Sequence, residues 1–145
     1  MTCKLFRMFK RNEDGTAAVE FALVLPVFLV LLLGIIAYGI YFAAAHSTAQ
    51  LAADAARASV AGRSDADRAT RAKANVASNI SGYGMLLDPA KITVDAAPLA
   101  SDPNQFRVAI RYDAANLPIW SFTPFLPLPS KIIEQSAVIA RGGFQ

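Results

Sequence analysis

The chain has 145 residues, of which 54% are apolar and only 17% charged, with a mean hydropathy of +0.37; it is oily for a small soluble domain and too short for a large multidomain enzyme. Fourteen Lys and Arg against eleven Asp and Glu leave a net charge of +3, a small excess with no concentrated basic face, so no nucleic-acid partner is expected. The single cysteine, Cys3, excludes an intrachain disulfide in any redox compartment.

Residues 1–15 read as a short basic leader carrying Lys4, Arg7, Lys10 and Arg11. From Phe21 to Ala45 the chain then runs without a charge, and at about 1.5 Å per residue a helix of that length slightly exceeds the roughly 30 Å hydrocarbon core of a bilayer. Residues 16–45 are therefore expected to form a transmembrane helix. Pro26, Gly34 and Gly39 would weaken a soluble helix but are tolerated in a membrane one, where they mark places for a bend or for close packing. Ordinary membrane-helix composition accounts for the two glycines equally well. Basic residues precede the span, and none falls among His46 to Leu51, just after it. The N-terminus is accordingly expected on the cytoplasmic side and the remainder outside the cytoplasm.

Ala43-Ala44-Ala45 offers an A-x-A pattern, which raises a cleaved secretory signal as a competitor. A signal h-region spans about 7–15 residues, which is shorter than this run. The acids Glu13, Asp14 and Glu20 also stand where a signal would be basic or apolar.

In the stretch from Gly15 to Pro26, GTAAVEFALVLP, a basic leader ends in glycine, an apolar helix begins, and a carboxylate stands five positions into it. Together these features resemble the processing site of type IV prepilins, cut after the glycine by a membrane-embedded aspartic peptidase. More narrowly, VEFALVLP followed by LLLGII is similar to the TadE/TadG-like proteins, the minor pilins or pseudopilins of tight-adherence systems that assemble Flp-type pili. The resemblance covers Gly15 to about Ala45. It implies a cleavage site at Gly15 and Thr16, and it implies pairing of Glu20 with the new amino terminus of a neighbouring subunit. The partners it implies are the membrane, a prepilin peptidase, other pilin or pseudopilin subunits and the pilus assembly machinery. The location it implies is the bacterial inner membrane, crossed once, or the pilus itself. Many family members carry an acid where this chain has Ala37, so no second carboxylate role carries over.

Glu20 has two readings on physical grounds. A lone carboxylate in hydrocarbon costs about 2.5–3.5 kcal/mol even on lenient scales, so it calls for a counter-charge. Near a helix N-terminus it is also favoured by the macrodipole, by about 0.3–1 kcal/mol, and can reach the headgroups.

Residues 46–80 stay alanine-rich and helical in pattern. The first helix is expected to run to about Val60, Gly62 to permit a stop, and Ser64 with Asp67 to cap a second helix reaching about Ile80. Residues 81–145 turn to a period of two after Ser81-Gly82-Tyr83-Gly84. Ile92, Val94 and Ala96 line one strand, Phe106, Val108, Ile110 and Tyr112 a second, and Ile133, Ala137 and Ile139 a third within Lys131 to Arg141. The fold class is thus α+β: a long N-terminal transmembrane helix, an alanine-rich helical region, and a small antiparallel sheet of about three strands.

The segment 117–129 holds four prolines and the only tryptophan, and is expected to be an extended loop. Trp120, Phe122 and Phe125 are its candidate interface residues. They either close the domain's own core or meet a subunit or lipid.

His46 stands alone, and the sequence contains no Cys/His cluster, P-loop, G-x-S-x-G or H-E-x-x-H. No catalytic residue, metal or cofactor is expected, and the chain reads as a substrate of an enzyme rather than an enzyme. A permanent, uncleaved single-pass envelope protein with an extracytoplasmic binding domain is the alternative.

Overall fold

A computed structural model describes residues 13–140, which divide into two units between Ile36 and Ala37. The basic residues of the expected leader and Arg141, at the end of the third expected strand, lie outside the described residues.

Helix α1 spans Glu13–Ser59 and is continuous through Pro26. Its start lies two residues ahead of Gly15, where the sequence places the end of a leader.

In the first unit the helix is apolar all the way round. Val27, Phe28, Leu29, Val30, Leu31 and Leu32 are consecutive and all exposed, so they cover every direction around a 3.6-residue turn. A helix of this kind needs an apolar surrounding on all sides. It is long and apolar enough to cross a membrane.

The second unit begins at Ala37, which is fully buried. From there α1 shows a stripe of Ala37, Ala44, Thr48, Leu51, Ala52, Ala55, Ala56 and Ser59 facing the interior, with the three- and four-residue steps of one helix face. Small side chains let the helix axis approach its neighbours closely. Two fully buried hydroxyls are satisfied locally, Thr48 Oγ1 donating to the Ala44 carbonyl at 2.8 Å and Ser59 Oγ to that of Ala56 at 2.7 Å.

Helix α2, Asp65–Asn79, opens as the sequence leads one to expect. Ser64 is its N-cap, with an extended backbone, and its Oγ accepts from the Asp67 amide at 3.2 Å. Asp67 returns the favour by accepting from the Arg63 amide at 3.0 Å, and also binds Arg71 Nε at 3.1 Å. The Ser64 bond satisfies one of the donors that a helix start leaves open, and the Asp67 carboxylate fixes the residue just before the cap. The Arg63 amide, and then Arg71, hold the Asp67 carboxyl below the ordinary value. On its inner face α2 buries Ala72 and Val76.

A 3-10 turn at Ile80–Tyr83 and another at Pro89–Lys91 lead into the sheet. Strands β1 (Ile92–Leu99), β2 (Asp102–Asp113) and β3 (Ile132–Ala140) form an antiparallel sheet in the order β1-β2-β3. Central β2 sends Phe106, Val108, Ile110 and Tyr112 into the core, and Ile133, Ala137 and Ile139 of β3 lie on the same side. The opposite face carries Arg107 and Glu134, paired at 3.3 Å across strands. One cluster joins the α1 stripe, Val76, the inner face of β2, and Ile119. The architecture is the α+β arrangement expected from the sequence. Burial raises the Tyr112 phenol, only partly offset by the Asp88 amide, and the charges of Asp88 and Asp113 add to the rise.

Candidate processing and assembly segment

Gly15, Thr16 and Glu20 lie on the exposed first turns of α1. Thr16 and Glu20 are four residues apart and so share one helix face, about 6 Å along the axis. A Cβ on Gly15 would meet nothing within 4 Å. Among the described residues Glu20 makes no hydrogen bond or ion pair. The carboxylate therefore stands free at the head of a helix whose next turns are wholly apolar.

Pro26 is exposed, and the helix passes through it; its missing N–H leaves the Ala22 carbonyl without the usual partner. Gly34 is half-buried, while Gly39 is exposed with no atom within 4 Å of an added Cβ. The chain's own packing thus places no demand for glycine at position 39. At Ala37, where family resemblance would put an acid, the side chain is fully enclosed, so a carboxylate there would be buried in the core.

The structure separates the three aromatic residues of 117–129 from one another. The segment is not extended throughout: Pro118–Phe122 forms a 3-10 turn with proline at its head, where a missing N–H costs nothing. Ile119 is fully buried, and Trp120 and Phe122 pack half-buried against the same core. Trp120 Nε1 donates to the Ala114 carbonyl at 2.6 Å, and Lys131 Nζ sits 5.5 Å from the indole centroid. Phe125 is 70% exposed.

Sequence reasoning missed Tyr38. Its hydroxyl donates to the Pro127 carbonyl, tying α1 to the 117–129 segment. Its ring centroid lies 6.1 Å from that of Phe42, which in turn lies 6.1 Å from Tyr41. The available signal was the cluster Tyr38, Tyr41 and Phe42 at the end of the apolar run, where interfacial aromatics are expected. Among the described residues no group of His, Cys, Asp or Glu is placed to hold a metal ion.

These features define a class: a chain with one N-terminal helix fit to cross a membrane, leading into a small α+β unit. Within it, residues 15–57 match the family model described as TadE-like protein. Over that segment the chain is similar to TadE-like proteins. The match starts at Gly15 and runs past Ala45 to within two residues of the end of α1. No curated protein and no solved structure gave a match.

Proposed function

We propose that this chain is the precursor of a TadE-like minor pilin or pseudopilin, trimmed between Gly15 and Thr16 by a prepilin peptidase and used in assembling a Flp-type pilus for adherence. The observation that carries the reading is the unpaired, exposed Glu20 five positions beyond Gly15, inside a segment that matches the TadE-like model. Trimming would place an α-ammonium on Thr16. In a packed array of such helices, that ammonium on one subunit is the counter-charge for Glu20 of the next. The pairing neutralises two costly charges together and fixes the axial offset between helices. The chain acts here as a substrate and structural subunit, with no catalytic role.

The location follows from the same reading. Thr16 to Ile36, at about 1.5 Å per residue, spans roughly 31 Å, the thickness of a hydrocarbon core. Lys4, Arg7, Lys10 and Arg11 favour a cytoplasmic N-terminus in the bacterial inner membrane, with the α+β unit outside the cytoplasm.

The rival is a permanent, uncleaved single-pass envelope protein. One observation favours it: Gly15 lies within α1, so the bond to be cut is helical and must unwind first. The deciding experiment is the intact mass and N-terminal sequence of membrane-extracted protein from cells with and without a prepilin peptidase. An N-terminus at Thr16 that requires the peptidase supports the pilin route, and Gly15→Glu is then expected to retain the leader. A mass that retains the leader in both cells overturns it in favour of the rival.

A further inference from the structure

Within the second unit, the turn after Phe122 has an ordered alternation. Leu126 and Leu128 pack against the core, while Phe125 and Pro127 face outward and are exposed. The turn is held in place by the Phe125 and Leu126 amides, which both donate to the Phe122 carbonyl at 2.9 Å. Phe125 is thus presented on a fixed support. In water that presentation leaves a large apolar ring without a partner.

The Tyr38 hydroxyl holds the Pro127 carbonyl, two residues from Phe125. Tyr38 follows Ile36, the last residue of the first unit, by two residues, at most about 7 Å of chain. Phe42, 63% exposed, stacks beside Tyr38 and extends the patch. No acidic residue occurs from Ala37 to Ala53 or from Ala114 to Ser130. At the edge of the second stretch Lys131 is poised above Trp120. Uncharged apolar side chains, tyrosine hydroxyls, an indole and a flanking lysine are the composition that headgroup regions favour.

We propose that Phe125, Pro127 and Phe42 form an interfacial anchor that seats the α+β unit on the lipid headgroup layer next to the span. The proposal rests on the reading of Thr16–Ile36 as a membrane span. It assigns the exposed half of the 117–129 segment to lipid and the buried half to the domain's own core. The bilayer is favoured over a second copy of the chain because Tyr38 and Phe42 follow the span directly in sequence and the patch has no charge to repel anionic headgroups.

The test uses the full chain with Cys3→Ser and one new cysteine at a time: Phe125→Cys, Leu29→Cys or Lys73→Cys. Each is labelled with a nitrobenzoxadiazole fluorophore and reconstituted in vesicles of phosphatidylethanolamine and phosphatidylglycerol. Spin-labelled lipids then quench at headgroup or mid-chain depth. The expected result is loss of Phe125-site emission with the headgroup quencher, loss at Leu29 with the mid-chain quencher, and no loss at Lys73. Phe125-site emission untouched by either quencher, with Leu29 quenched, overturns the anchor and leaves the span standing. Emission at Phe125 that changes only with protein density assigns the patch to a second copy and overturns it as well. An unquenched Leu29 overturns the span and the anchor with it. Phe125 and Lys73 are exposed and Leu29 lies in the first unit, so none of the labels enters the core.

Discussion

Gly62 is buried where α1 has ended and α2 has yet to begin, and a Cβ built there would fall 2.4 Å from Arg68 Cγ, 2.7 Å from its amide nitrogen and 2.8 Å from its Cα. The sequence suggested a helix-stopping glycine, but among the described residues none has a positive φ, so closeness of backbone rather than a left-handed turn accounts for it. Gly62→Ala is expected to lower stability by about 1–3 kcal/mol, as overpacking does, seen as a lower midpoint of thermal unfolding. Adding Arg68→Ala should not restore the midpoint, because the amide and Cα remain; full rescue would trace the clash to the side chain alone. Nearby, Asp67 offers a pH-dependent test. Its folded-state carboxyl is lowered by the Arg63 amide first and Arg71 second. Its contribution is therefore present above the unfolded value of 3.8 and is lost as pH falls through the lowered folded value. Asp67→Asn should flatten that acid limb of the stability profile, measured by denaturant unfolding from pH 7 downward. An unchanged limb would mean the carboxylate is not linked to folding.

At the scale of elements, α1 is one helix with two different surroundings, and its halves should respond oppositely to substitution. Ala52 is buried in the core stripe, whereas Leu31 is exposed in the apolar first half. Ala52→Leu is expected to cost about 1–3 kcal/mol in unfolding of the second unit. Leu31→Ala should leave that transition unmoved while weakening membrane retention in alkaline extraction. Equal effects of the two on unfolding would refute the division. This division was only partly legible in the sequence. The apolar run reads as unbroken to Ala45, yet the core begins at Ala37, because lipid and a protein interior select the same side chains and composition cannot tell them apart. The strands and the Ser64 cap were legible because period-two alternation and a Ser with an acid three residues on each have a single geometric meaning. The 117–129 segment was not, since proline excludes a strand without specifying that Pro118 heads a 3-10 turn or that Ile119 is fully buried. Gly15, Thr16 and Glu20 were legible as a motif, but only the structure shows Glu20 without a partner among the described residues.

For the whole molecule, the question is why the chain keeps an exposed, unpartnered carboxylate among the apolar turns of its first unit. Within the second unit the Ser64 cap, the Arg107–Glu134 pair and the Thr48 hydroxyl find partners inside the chain, while Arg68 Nε and Asn75 Oδ1 are buried without a hydrogen bond. Glu20 too is unpartnered among the described residues, and a carboxylate drawn to the middle of the hydrocarbon would cost about 2.5–3.5 kcal/mol on the lenient insertion scale. Under the proposed pairing, such a residue would be offset only by a neighbour and would couple membrane residence to assembly. The proposed pairing with a neighbour's Thr16 ammonium makes a prediction that separates it from a headgroup role. Glu20→Ala removes the burial cost along with the charge, so insertion and trimming should be kept or improved. Incorporation into sheared pili should nevertheless fall by at least about tenfold, equivalent to about 1.4 kcal/mol of lost association. Glu20→Asp, which keeps the charge on a shorter arm, should recover part of that loss. The measurement is the ratio of pilus-incorporated to membrane-retained protein, with the N-terminal sequence checked for each variant. If Glu20→Ala enters pili at the wild-type ratio, the carboxylate is serving only the helix dipole and the headgroups, and axial register must come from the apolar packing of the Thr16–Ile36 segment.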